Sequence, residues 1–125
     1  MADSNCIDIG ANRGTVLELI EARAPHGTHH AFEPVPHLAS RLCEAFPTVT
    51  VHQVALADAP GTVEFTVVDV DRYDGYSGIT RSLRPLPADW PTHATIVDAA
   101  RLDDVLPPDC VPRFIKIDVE DSELG

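Results

Sequence analysis

Apolar residues along this chain switch between two spacings. "NCIDIG" (5–10) is short, apolar and closed by glycine, which predicts a buried strand. In "GTVLELIEARA" (14–24), Val16, Leu17, Leu19, Ile20 and Ala24 fall at helical spacing, and "PHG" closes the helix. "THHAFE" (28–33) predicts a second strand, punctuated by Pro34 and Pro36. "HLASRLCEAF" (37–46) returns to the helical period through Leu38, Leu42, Ala45 and Phe46. "TVTVHQVA" (48–55), rich in β-branched residues, predicts a third strand.

Strand and helix in alternation predict βαβ units, and therefore a parallel sheet with right-handed crossovers. The pattern then changes. "DAPG" (58–61) is a turn, and "TVEFTVVDV" (62–70) is a strand reached without a helix, which predicts an antiparallel addition. Residues 71–93 form a long irregular segment holding Arg72, Arg81, Arg84, Tyr73, Tyr76 and Trp90; it reads as a lid or binding loop, or equally as a solvated excursion. "ATIV" (94–97) is a further short strand, "DAARLDDVL" (98–106) a short helix, and "FIKIDV" (114–119) the fourth parallel strand. The expected fold is α/β and Rossmann-like: a parallel sheet ordered 3-2-1-4 with helices on both faces, in one domain over residues 1–125.

Composition narrows the function classes. Nine Lys and Arg against 20 Asp and Glu give a formal charge of −11, a surface that repels nucleic-acid phosphates and anionic membranes. No apolar run approaches a membrane span and "MADSN" has no signal character, so a soluble, cytoplasmic chain is expected. Cys6, Cys43 and Cys110 are far apart and in no C-x-x-C arrangement, which reads as reduced, mostly buried thiols. His26, His29 and His30 cluster locally, but adjacent strand residues point to opposite faces, so His29 and His30 do not line one site. No metal is expected.

Chemistry concentrates at "DIGANRG" (8–14), between the first predicted strand and helix. Gly10 permits a sharp turn and close ligand approach, Gly14 lets the helix start close to the sheet, and the helix N-terminus offers N–H groups to an anionic ligand group. Glu33 ends the second strand, 19 residues beyond Gly14, where a carboxylate accepts ribose hydroxyls. Asp118 and Glu120 close the fourth strand, which neighbours the first at a topological switch point. Asp8, Gly10 and Asp118 are thus expected across one crevice. Asn12 stands where dinucleotide sites keep their second glycine, and carboxylates beside a pyrophosphate repel it. S-adenosylmethionine carries an ammonium, a sulfonium and one carboxylate, and it suits acidic strand ends facing a helix N-terminus.

"CIDIGANRGT", "AFEPVP", "HQVALADAPGTVEF" and "IKIDVEDSEL" together resemble, in order and spacing, the FkbM-type methyltransferases over nearly the whole chain. The resemblance implies a class I methyltransferase fold that binds S-adenosylmethionine and methylates an oxygen of a sugar or small natural product. By position, it puts Asp8, Gly10, Asn12 and Gly14 around the methionine part of the cofactor. It puts Glu33 on the ribose, counts Pro34 among the cofactor-binding residues, and puts the 53–58 stretch, including Ala55 and Leu56, beside the adenine. Asp118 and Glu120 would face the methyl group or the acceptor, as the catalytic candidates. Two departures stand out: Asp121 occupies a position where the family typically has glycine, and the segment around Ser77 matches the family's serine-rich loop only loosely. The family also continues past this point with a helix and further strands. The resemblance therefore implies a trimmed chain, holding the cofactor half of an enzyme, with an apolar edge strand available for dimerisation. Two rival readings are a non-catalytic cofactor-binding module and an NAD-dependent oxidoreductase fragment.

Overall fold

Strand β1 (Cys6–Ile9) is buried along its whole length, as an apolar run closed by Gly10 requires. In a computed structural model of the chain, the residues described are 3–68, 78–79 and 88–117. Asp118, Glu120, Asp121 and Ser77 lie outside them, as do Arg72, Tyr73, Tyr76, Arg81 and Arg84. From β1 the chain runs through helix α1 (Thr15–Arg23), strand β2 (His30–Phe32), helix α2 (Pro36–Ala45) and strand β3 (Thr50–His52). Pro36 opens α2 at its first turn, where a missing N–H costs nothing and its fixed φ suits the helix.

Further along come β4 (Ala55–Leu56), β5 (Gly61–Val68), β6 (Gly78–Ile79), β7 (Thr92–Ala100), helix α3 (Leu102–Val105) and β8 (Phe114–Ile117). One sheet is parallel and ordered β3-β2-β1-β8, the 3-2-1-4 arrangement expected, with β8 as the fourth parallel strand. Ile7 and Ile9 of β1 pair with His30 and Phe32 of β2 and with Ile115 and Ile117 of β8.

The alternation of side chains along β1 sorts its two faces. Cys6 points into a core with Leu17 and Ile20 of α1, Ala31, and Leu42 and Phe46 at the end of α2. Ile7 and Ile9 point the other way, with Phe32, onto Leu102 and Val105 of α3 and neighbouring Leu106. Helices thus cover both faces, giving a Rossmann-like α/β arrangement. The crossovers diverge between β1 and β8, so their carboxyl ends form the switch point.

A second sheet, ordered β4-β7-β5-β6, departs from the expected pattern. The predicted third strand divides: residues 50–52 stay with the parallel sheet, while Ala55 and Leu56 pair with Ala99 and Ala100 of β7. The predicted 94–97 strand extends to 92–100, because Asp98 and Ala99 pair with Thr62 and Gly61 of β5. The expected helix from residue 98 therefore shrinks to Leu102–Val105. The antiparallel addition is present as β5 against β7. Val35 and Leu38, at the start of α2, share a separate core with Phe65, Val67 and Val97 of this sheet.

Candidate cofactor site

The turn after β1 is built by positive backbone angles. Gly10 has φ 75°, Asn12 φ 54° and Gly14 φ 87°. Asn12 is the one non-glycine residue with positive φ among those described, and asparagine is among the few side chains that accept it. Gly10 and Ala11 both donate their N–H to the Phe32 carbonyl, at 2.9 and 3.1 Å, so the turn folds over the end of β2. Gly14 donates to the Ala11 carbonyl at 2.9 Å and closes it. A Cβ at Gly14 would lie 2.6 Å from Phe46 Cε2 and 2.9 Å from Leu42 Cδ2. The close neighbour that demands glycine there is α2, not the sheet.

Glu33 meets this turn directly. It is 4% exposed; its Oε1 accepts the Asn12 N–H at 2.8 Å, and its Oε2 accepts the Val35 N–H at 2.9 Å. Its own N–H donates to the His52 carbonyl at 3.0 Å. One carboxylate therefore ties together the β1–α1 turn, the end of β2 and the entry to α2. Charge-assisted bonds of this kind contribute about 1.5–3 kcal/mol each.

Asp8 lies beneath the turn. Its carboxylate is 0% exposed, and Lys116 Nζ stands 2.9 Å from Oδ1. The same ammonium donates to the Gly10 carbonyl at 2.8 Å. The crevice face at this point is thus an ion pair joined to the turn, not an isolated carboxylate. Removing one partner of such a buried pair costs about 3–5 kcal/mol.

The other expected contributors are spread more widely. Pro34 is buried beside Glu33. Ala55 is buried in the core shared with Val35 and Phe65. Leu56 is half-buried against Ile7, Ile9 and Phe32. Asp118 and Glu120 directly follow β8 in the chain and lie outside the described residues.

The histidines have structural partners. His29 Nδ1 accepts the Cys6 N–H at 3.1 Å and Nε2 lies 2.8 Å from the Ala24 carbonyl. With Nδ1 accepting, Nε2 is the ring nitrogen left to donate to the Ala24 carbonyl. His30 Nδ1 lies 2.9 Å from His52 Nε2, and the His52 ring stacks on both His30 and Phe32, with centroids 5.2 and 4.6 Å away. Burial lowers the pKa of His30 below the usual histidine value, with a smaller contribution from His29; burial and then His30 lower that of His52. Burial also raises the Cys6 thiol, keeping it protonated in the core. Among the described residues, no three His, Cys, Asp or Glu side chains gather as a metal-ligand set, and no helix is long and apolar enough to cross a membrane.

Sequence reasoning passed over Lys116 and the His30–His52 pair. A signal for Lys116 was present: "CIDI" and "FIKI" each carry a single charge at the third position, of opposite sign, and pairing the strands in register brings the two together. No comparable signal marks the histidine pair, because His30 and His52 meet only once β2 and β3 are aligned.

No curated protein matches the chain at a significant level. The model of the methyltransferase FkbM domain matches residues 8–125, from the buried Asp8 through the turn, Glu33 and both sheets. The chain belongs to the FkbM methyltransferase family.

Proposed function

We propose that the chain binds S-adenosylmethionine across the carboxyl ends of β1 and β2, and that it serves O-methylation of a sugar or small-molecule hydroxyl. The observation that carries this reading is the bond between Glu33 and the Asn12 N–H, which makes the acidic end of β2 and the first turn a single unit. A nucleoside lying over that unit would set its ribose hydroxyls beside Glu33 and its amino-acid tail along residues 10–14, toward the N-terminus of α1. An acidic strand end joined to a turn at a helix N-terminus suits a ligand that carries both ribose hydroxyls and a carboxylate. The Lys116 ion pair removes Asp8 as a ground for preferring a sulfonium to a pyrophosphate. Family membership and Glu33 support that preference instead.

Bound S-adenosylmethionine supplies an electrophilic methyl group on a positively charged sulfur. The protein's part is to hold the acceptor oxygen in line with that carbon, a positioning effect that can be worth several kcal/mol. A hydroxyl acceptor must also give up its proton. Asp118 and Glu120, which follow β8, are the bases assigned by chain position. Titration calorimetry with S-adenosylmethionine, its demethylated product S-adenosylhomocysteine and NAD tests the binding reading: the first two bind and NAD does not. Transfer of labelled methyl to hydroxylated acceptors, compared with their deoxy analogues, tests the oxygen. Equal labelling of the deoxy analogues would rule out O-methylation.

A further inference from the structure

We infer that Lys116 sets the charge of the donor-binding turn and thereby its preference between methyl donor and demethylated product; the inference rests on the S-adenosylmethionine reading above. Its basis is the Asp8–Gly10–Lys116 arrangement. Asp8 is 0% exposed, and the Lys116 side chain is 18% exposed, with its ammonium 2.9 Å from Asp8 Oδ1 and 2.8 Å from the Gly10 carbonyl. The positive end of the pair therefore touches the turn itself, while the negative end lies below it. Charges this close in a poorly solvated place act on each other strongly and are little screened by salt.

The consequence concerns the ligand's charge. S-adenosylmethionine carries one positive charge, at sulfur, that its demethylated product lacks. A bare Asp8 under Gly10 would attract the donor and not the product. Paired with Lys116, it presents no net charge, and the turn recognises both molecules by shape. Lys116 is on this account a positioning residue: it anchors the Gly10 carbonyl, and it keeps Asp8 from acting as a cation trap.

The test is the ratio of the two dissociation constants, measured by calorimetry at low salt. Asp8→Asn keeps the buried side chain's shape and removes the negative charge 2.9 Å from Lys116 Nζ. It should weaken S-adenosylmethionine relative to S-adenosylhomocysteine by about threefold or more. Lys116→Met should shift the ratio toward the donor, and the double variant Asp8→Asn/Lys116→Met should return it to within about twofold of the wild type. If Lys116→Met fails to fold, Asp8→Asn and the double variant carry the test between them. A purely structural pair would lower thermal stability and both affinities together and leave the ratio unchanged; that result would overturn the inference alone. A wild-type chain that binds neither molecule would overturn the S-adenosylmethionine reading and this inference with it.

Discussion

Glu33 holds Asn12 by its backbone: a carboxylate at the end of one strand accepts, at 2.8 Å, the N–H of a residue whose φ of 54° is left-handed. The bond is made possible by that angle, and it stabilises the angle in return. Strain in the turn and charge at the strand end are therefore two parts of one device.

Glu33→Gln separates the structural from the ligand-binding role. The carboxamide keeps one oxygen but points an NH2 at either the Asn12 or the Val35 N–H. One buried amide loses its acceptor, at a cost of about 1–3 kcal/mol. Thermal melting should fall by several degrees, and affinity for S-adenosylmethionine by about tenfold or more. A variant with the lower melting point but unchanged affinity would confine Glu33 to the fold.

At Gly14 the cost is steric and conformational together. Gly14→Ala places a methyl against Phe46 and Leu42 and forces alanine to φ 87°. Overpacking of about 1–3 kcal/mol adds to about 1–2 kcal/mol for the left-handed angle. Phe46→Leu introduced into Gly14→Ala should recover the part of the steric cost that Phe46 causes, and none of the conformational part. A denaturant-melt double-mutant cycle measures the coupling; additive losses would mean that α1 and α2 do not meet at Gly14.

Acid should loosen the β2–β3 edge. His30 and His52 have folded pKa values below the ordinary 6.5, so between those values the unfolded chain binds more protons than the folded one. Their contribution is fully present above about pH 6.5 and is lost as pH falls through the lowered folded values. Melting temperatures from pH 7.5 down to 5 should fall more steeply for the wild type than for His52→Phe, which retains a ring against Phe32 and does not titrate. Parallel curves would contradict the pairing.

Self-association is expected through β8. It is an outer strand of the described parallel sheet, and Phe114, Ile115 and Ile117 are 48%, 44% and 54% exposed. Apolar outer strands recruit further strands. Sedimentation velocity at rising concentration should show association that Ile117→Lys suppresses; a monomer throughout would count against it.

How legible this was in the sequence depended on distance along the chain. β1, α1, β2 and α2 were visible within a residue or two, because glycine, proline and apolar spacing act locally around Gly10, Gly27 and Pro36. The strand order followed from the handedness of crossovers. The second sheet was legible only in part: β5 and the centre of β7 read as strands, whereas β4 and the full length of β7 did not. Gln53 and Val54 divide what reads as one β-branched run, and Asp98–Ala100 join β7 only because β5 and β4 lie alongside them. Pairing across more than 30 residues outweighs local propensity there. Around the turn, the glycines and Glu33 stood out by spacing, whereas the Asp8–Lys116 pair did not, because its two members stand 108 residues apart in the chain.

On the proposed function, the β1–α1 turn and Glu33 together receive the methyl donor. Amide NMR of the isotopically labelled chain, titrated with S-adenosylmethionine, tests it most directly. Saturable shifts are expected, largest at Gly10–Gly14 and Phe32–Val35, and abolished by Gly10→Val, whose branched side chain would intrude on the ligand's path. Saturable shifts centred elsewhere, or undiminished binding by Gly10→Val, would contradict it.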